Sequence, residues 1–206
     1  MKTLTPTQFE RGYRAFQRHE GRDSTYRTAT FLVEHFWESP REMADSLGVL
    51  LLTWNQALYR YGIFDFDRLE ECISSNLPLL REFRKSNILG YSTDDDRNIK
   101  HLFDEFSTAL KIRAGTKKGT RSPVAVAKAL HLVAPDFFPL WDHKIAKAYG
   151  YAYSYNPEEK YLSFLRETRE IVARLQSSVN PESLKKKTFL KLIDEYNYAK
   201  YTKGWI

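Results

Sequence analysis

Apolar residues recur along this chain three and four positions apart, the spacing of one face of an α-helix, almost from end to end. Phe9, Tyr13 and Phe16 share one face of a helix predicted over residues 7–18, and a second is expected over 26–37. A third runs over 40–61. Its middle, SLGVLLLTWNQALY, is apolar almost all round, as befits a central buried helix. Further helices are predicted over 66–74, 78–85, 94–111, 123–133, 142–149, 157–176 and 181–201. Four junctions put a capping residue before a proline: Ser39-Pro40, Ser122-Pro123, Asn156-Pro157 and Asn180-Pro181. There the cap side chain satisfies an orphan N–H, and proline loses nothing at the first helical position. Asp94-Asp95-Asp96 suits the positive end of a helix dipole. No strand-like alternation, internal repeat, low-complexity tract or interdomain linker is visible. The expectation is an all-α fold: one compact multi-helix domain over 1–206. A two-lobed arrangement, with the first and last helices in one lobe and the middle in the other, also fits.

Composition narrows the class. The 206 residues are enough for a substantial core, and 42% hydrophobic with 28% charged is the balance of a soluble globular domain. The longest uncharged stretch, Ser46 to Tyr59, is too short to span a bilayer, which argues against a membrane partner. The first residues, MKTLTPTQFERGYRAF, lack the apolar core of a secretory signal. Cys72, the single cysteine, makes neither an internal disulfide nor a four-cysteine metal site. A monomer in a reducing cytoplasm is expected.

The net charge is +6, and its placement matters more than its size. Lys111, Arg113, Lys117, Lys118, Arg121 and Lys128 fall in a window with no Asp or Glu, around a glycine-containing turn, a focus suited to a polyanion or simply to a solvated loop. A second group, Lys185-Lys186-Lys187 with Lys191, reads as the polar face of a helix whose apolar face carries Leu184, Phe189, Leu190 and Ile193.

The segment from Arg113 to Tyr151, RAGTKKGTRSPVAVAKALHLVAPDFFPLWDHKIAKAYGY, has a basic turn, a capped helix holding one lysine, a proline-rich aromatic connector and an aspartate opening another helix. This order resembles the helix–hairpin–helix DNA glycosylase superfamily, of the endonuclease III and 8-oxoguanine DNA glycosylase type. Leu140-Trp141-Asp142-His143-Lys144-Ile145-Ala146-Lys147 matches the family's apolar-Asp-x-x-Ile/Val-x-Arg/Lys form. Leu50 to Ala57 is similar to the early helix from which the family inserts a polar side chain. The chain departs from the family in lacking the Leu-x-Gly-x-Gly hairpin and the iron–sulfur cysteines. Its lysine and aspartate are also only 14 positions apart. The resemblance is specific over 115–150 and implies a divergent branch.

The resemblance implies base excision from damaged double-stranded DNA, an oxidised purine of the 8-oxoguanine type being the first substrate to expect. Asp142 would stabilise oxocarbenium-like charge on the sugar, and Lys128 would be the amine nucleophile of an abasic-site lyase. Asp142 reads equally as a helix N-cap, and Lys128 as a surface lysine whose stem lies on apolar neighbours. Lys117, Lys118, Gly119, Thr120, Arg121, Ser122, Lys144 and Lys147 would contact DNA, Lys117 and Lys118 being rival nucleophiles. Trp54, Asn55, His131, Phe138 and Trp141 would form the base pocket; their alternative is core packing. The terminal run with Tyr201, Lys203 and Trp205 either closes a pocket or docks the last helix. No His/Asp/Glu spacing suits a metal, and no cofactor is expected. Two other functions fit: a non-catalytic nucleic-acid-binding module on the same fold, and a helical interaction protein.

Overall fold

A computed structural model describes residues 4–178 and 187–206. Among them the regular elements are helical, as expected for the all-α class. In order they are α1 (Pro6–Glu20), α2 (Ser24–His35), α3 (Pro40–Trp54), α4 (Gln56–Tyr59), α5 (Phe66–Lys85), α6 (Asp96–Ala109), α7 (Pro123–Val133), α8 (His143–Ala148), α9 (Pro157–Leu175) and α10 (Phe189–Asn197). Short 3₁₀ turns occupy Ile88–Gly90 and Thr93–Asp95, and a π-helical turn, Tyr198–Thr202, continues α10.

Local signals start several helices. Thr5 and Gln8 form a reciprocal capping box at α1, and Ser122 Oγ accepts from the Ala125 N–H at α7. The other expected caps differ. Ser39 and Asn156 make no side-chain cap bond, and Asn156 takes left-handed backbone, φ 48°; the proline and the first-turn acids Glu42, Glu158 and Glu159 favour these starts. Asn180-Pro181 and the beginning of the helix expected over 181–201 lie outside the described residues. α10 starts at Phe189, with Thr188 Oγ1 accepting from the Lys191 N–H.

Two expected boundaries are corrected. The helices predicted over 66–74 and 78–85 are one helix, α5, with Pro78 inside it. Leu69, Ile73, Leu80 and Phe83 stay buried on one face across the proline. An interior proline costs about 3 kcal/mol. Each buried large apolar side chain contributes about 1.5–3 kcal/mol, so the continuous face wins. Conversely, the helix predicted over 40–61 ends at Trp54, and the one-turn α4 follows Asn55. Its middle is not wholly enclosed either: Leu47, Leu50 and Leu51 are buried, but Val49 is exposed.

α3 packs between α2 and α5, and α6 packs on α5, α7 and α9. In α7 five residues, Ala125, Val126, Ala127, Ala129 and Leu130, are fully buried around Lys128. α1 closes onto α10 and the π-helical turn. No helix among the described residues is long and apolar enough to cross a membrane.

Gly12 sets the α1–α10 approach. A Cβ there would lie 2.4 Å from Tyr196 Cδ2 and 3.1 Å from the Tyr196 Cα. Helix propensity favours alanine over glycine by about 1 kcal/mol. Overpacking against a fixed backbone costs about 1–3 kcal/mol. Gly12→Ala is therefore expected to lower stability in urea unfolding; an increase would mean that α10 yields without cost.

Candidate functional site

α1, the end of α3, α7, the 134–142 connector, α10 and the π-helical turn line a partly open cavity of about 210 Å³. Phe16, Trp54, Leu140, Trp141 and Tyr198 supply its apolar wall. Lys128 and Asp142 both reach it, together with Lys191, Asp23, Asp194 and Glu20. Pockets for drug-sized ligands measure roughly 300–1,000 Å³, so this smaller cavity suits one ring system rather than an extended molecule.

Lys128 projects from α7, a helix with eight buried residues among its eleven. Its Nζ donates to the Trp54 carbonyl at 2.9 Å and to Asn55 Oδ1 at 2.7 Å, and lies 5.4 Å from the Trp54 ring centre. The Trp54 carbonyl belongs to the last residue of α3, where helical partners run out, so Lys128 caps α3 from 74 residues away. Asn55 Nδ2 donates to Ser122 Oγ, which fixes the amide with its oxygen toward Lys128. Burial pushes the Lys128 ammonium down to about 8, against the pull of Asp194 and Asp142. In the neutral amine the two N–H bonds are taken by these acceptors, and the nitrogen keeps its lone pair.

Asp142 is the N-cap of α8. Oδ1 accepts from the Ile145 N–H at 2.8 Å, and Oδ2 accepts from the Thr202 hydroxyl at 2.6 Å. The carboxylate is thus held at both oxygens, with the cap and the cavity served by one side chain.

The deepest charge in the cavity was expected on a polar helix face. Lys191 is instead 2% exposed, with Nζ 3.2 Å from both Asp23 and Asp194 and 4.0 Å from Glu195. The ammonium also lies 4.5, 5.1 and 5.6 Å from the ring centres of Tyr26, Phe16 and Trp54. Burial opposes its charge, but Asp194, Asp23 and Glu195 outweigh burial and keep the ammonium protonated. Lys187 pairs with Glu195 as well; Lys185 and Lys186 lie outside the described residues. Asp23 holds its place in left-handed backbone, φ 41°, a conformation uncommon for a non-glycine residue. One cavity therefore contains a lysine whose ammonium is favoured by its carboxylate neighbours and a second whose ammonium is disfavoured by burial.

Behind the wall, Tyr26 stacks on Trp54 at 5.7 Å. His131 Nδ1 donates to the Phe138 carbonyl at 2.8 Å, so the neutral ring accepts the Tyr26 hydroxyl at Nε2, 2.9 Å away. Burial holds His131 neutral by pushing it down to about 3. His131 and Phe138 sit in the core behind the cavity, Phe138 against Phe83 and Phe137. Trp141 is 1% exposed and presents only part of its surface to the cavity.

The basic loop runs from the end of α6 to Ser122. Lys117, Lys118, Gly119, Thr120 and Arg121 are exposed, whereas the Ser122 hydroxyl is turned inward to α7 and Asn55. The Lys118, Gly119 and Thr120 N–H groups bond to the Gly115, Ile112 and Lys117 carbonyls, so the loop consumes these donors itself. Lys147 is exposed on α8; Lys144 Nζ donates to the Thr202 carbonyl. In the terminal run, Trp205 stacks on His19 of α1 at 4.4 Å, Tyr201 meets Tyr149, and Lys203 lies 5.4 Å from the Tyr198 ring.

The structure thus brings Lys128, Asp142, Trp54 and Trp141 to one cavity and places Asn55 on Lys128. Sequence reasoning missed Lys191, Asp194, Asp23, Phe16 and Tyr198. A signal existed for Lys191: it interrupts Phe189-Leu190-Lys191-Leu192-Ile193, an apolar run with acids three and four residues on. Comparison with protein-family models, curated proteins and solved structures gives no match to this chain.

Proposed function

We propose that this protein is a DNA base-excision glycosylase with an associated abasic-site lyase activity. The observation that carries the reading is the meeting of Lys128 and Asp142 in one aromatic-walled cavity. The Lys128 nitrogen bonds to C1′ of the deoxyribose as the N-glycosidic bond breaks. The base departs with the bonding electrons and takes up a proton. Asp142 stabilises the positive charge that develops on the sugar. Opening of the sugar ring converts the adduct to an iminium, from which loss of the C2′ proton expels the 3′ phosphate. The accessible side of Trp54 stacks the extruded base, with Trp141 in the pocket wall.

The test is incubation with end-labelled duplexes carrying 8-oxoguanine, uracil, hypoxanthine, an alkylated base or an abasic site, with borohydride trapping. Expected are base release from one lesion and a trapped adduct that Lys128→Ala abolishes. Trapping should increase with pH and reach half of its maximum near pH 8, where Lys128 loses its proton. A pH-independent adduct, or one retained in Lys128→Ala, would remove Lys128 from the chemistry. A second reading, a non-catalytic nucleic-acid-binding module, draws on the occupation of both Asp142 oxygens by Ile145 and Thr202. Salt-sensitive DNA binding without base release from any lesion would select it.

A further inference from the structure

The basic loop is bolted to the segment that follows α4. The Arg113 N–H donates to the Ile63 carbonyl at 2.9 Å. A Cβ on Gly62 would come within 2.0 Å of the Ala114 carbonyl oxygen, and one on Gly115 within 2.2 Å of the Tyr61 carbonyl oxygen. Gly115 also has φ 93°, where a side chain is strained. Only glycine permits this backbone-to-backbone approach, so the juxtaposition is a property of the fold and not of surface rotamers.

The contact places two cations over one exposed ring. Tyr61 is 38% exposed; Arg60 Cζ lies 4.7 Å and Lys117 Nζ 4.3 Å from its ring centre. The two charges are therefore within about 9 Å of each other, while a DNA strand carries a phosphate every ~3.4 Å along the helix axis. Lys118 and Arg121 add exposed charge from the same loop. The neighbouring carboxylate, Asp65, is engaged by Arg113 at 3.3 Å. At the loop's end Ser122 Oγ accepts from Asn55 Nδ2, and Asn55 Oδ1 accepts from Lys128, a link that leads into the cavity.

We propose that Arg60 and Lys117, held together by Tyr61, form a clamp on the phosphodiester backbone of DNA beside the Lys128 cavity. The clamp rests on the nucleic-acid reading above and adds to it a contact outside the 113–151 segment. Lys117 supplies a charge at the loop tip, Arg60 supplies one from the end of α4, and the ring limits the freedom of both.

Binding of a fluorescent duplex to the full chain, measured by anisotropy over a range of KCl, tests it. Arg60→Ala and Lys117→Ala should each reduce the slope of log affinity against log salt by about 0.9, and the pair by about 1.8. Tyr61→Leu keeps both charges and should weaken binding with the slope unchanged. Lys100→Ala, which removes a charge on α6, should leave slope and affinity alone. Thermal unfolding of each variant checks that it is folded. Wild-type slopes in both clamp variants, or an equal loss in Lys100→Ala, would overturn the clamp and leave DNA binding standing. Absence of binding by the wild-type chain at low salt would overturn the clamp and the DNA reading together. Equal displacement of the duplex by polyglutamate would assign the surface to acidic proteins and also overturn it.

Discussion

Lys191→Met is expected to lower the free energy of unfolding by about 3–5 kcal/mol, the range for removing one partner of a buried ion pair. Methionine fills a similar volume, so the loss is electrostatic. Asp23 and Asp194 would be left without their cation, while Glu195 keeps Lys187 and Gln17. Burial already raises the Asp194 carboxyl above its ordinary value against the pull of Lys191, and without that cation it rises further. It takes up a proton on acidification, so the deficit against the wild type should shrink as pH falls toward 4 and be full near neutrality. Adding Asp194→Asn to Lys191→Met should recover part of the loss at neutral pH. Urea unfolding of the three proteins at pH 7 and pH 4.5 measures this. A loss below about 1 kcal/mol, the scale of a solvent-exposed pair, would mean that water reaches Lys191.

Asp142→Asn is expected to reduce base release by about 100-fold or more while leaving the fold and DNA affinity intact. Asparagine caps a helix as well as aspartate, so the bond to the Ile145 N–H can persist. What is lost is the negative charge beside the reacting sugar. The same substitution has a second readout that does not depend on base release, borohydride trapping on the duplex that already carries an abasic site. Asp142 raises the Lys128 pKa, so without its charge the midpoint of borohydride trapping should move below pH 8. Full activity in the Asn variant would reduce Asp142 to its capping role. An unmoved midpoint would mean that the carboxylate does not act on the Lys128 amine.

The helices were legible because their determinants are local. Apolar spacing marked α1, α7 and α9, and Ser122-Pro123 marked the start of α7. Asp142 was legible as a cap for the same reason: the N–H groups it serves are three residues away. The failures have the opposite character. Pro78 read as a helix start because local propensity penalises an interior proline, whereas the apolar face of α5 is satisfied by packing on α3. The end of α3 at Trp54 was invisible because the group that donates to its terminal carbonyl, Lys128, is 74 residues away.

The cavity divides along the same line. The sequence alone determined an all-α chain with a basic turn, and placed a lysine within one capped helix and an aspartate at the start of the next. Only the tertiary structure decided that both reach one space, and that Lys191 is buried there among Asp23, Asp194 and Glu195 rather than solvated. The reason is physical: helical periodicity follows from interactions within four residues. The protonation of a buried lysine follows from what surrounds it, and here those groups come from the turn between α1 and α2, α2, the N-cap of α8 and α10, joined only by folding.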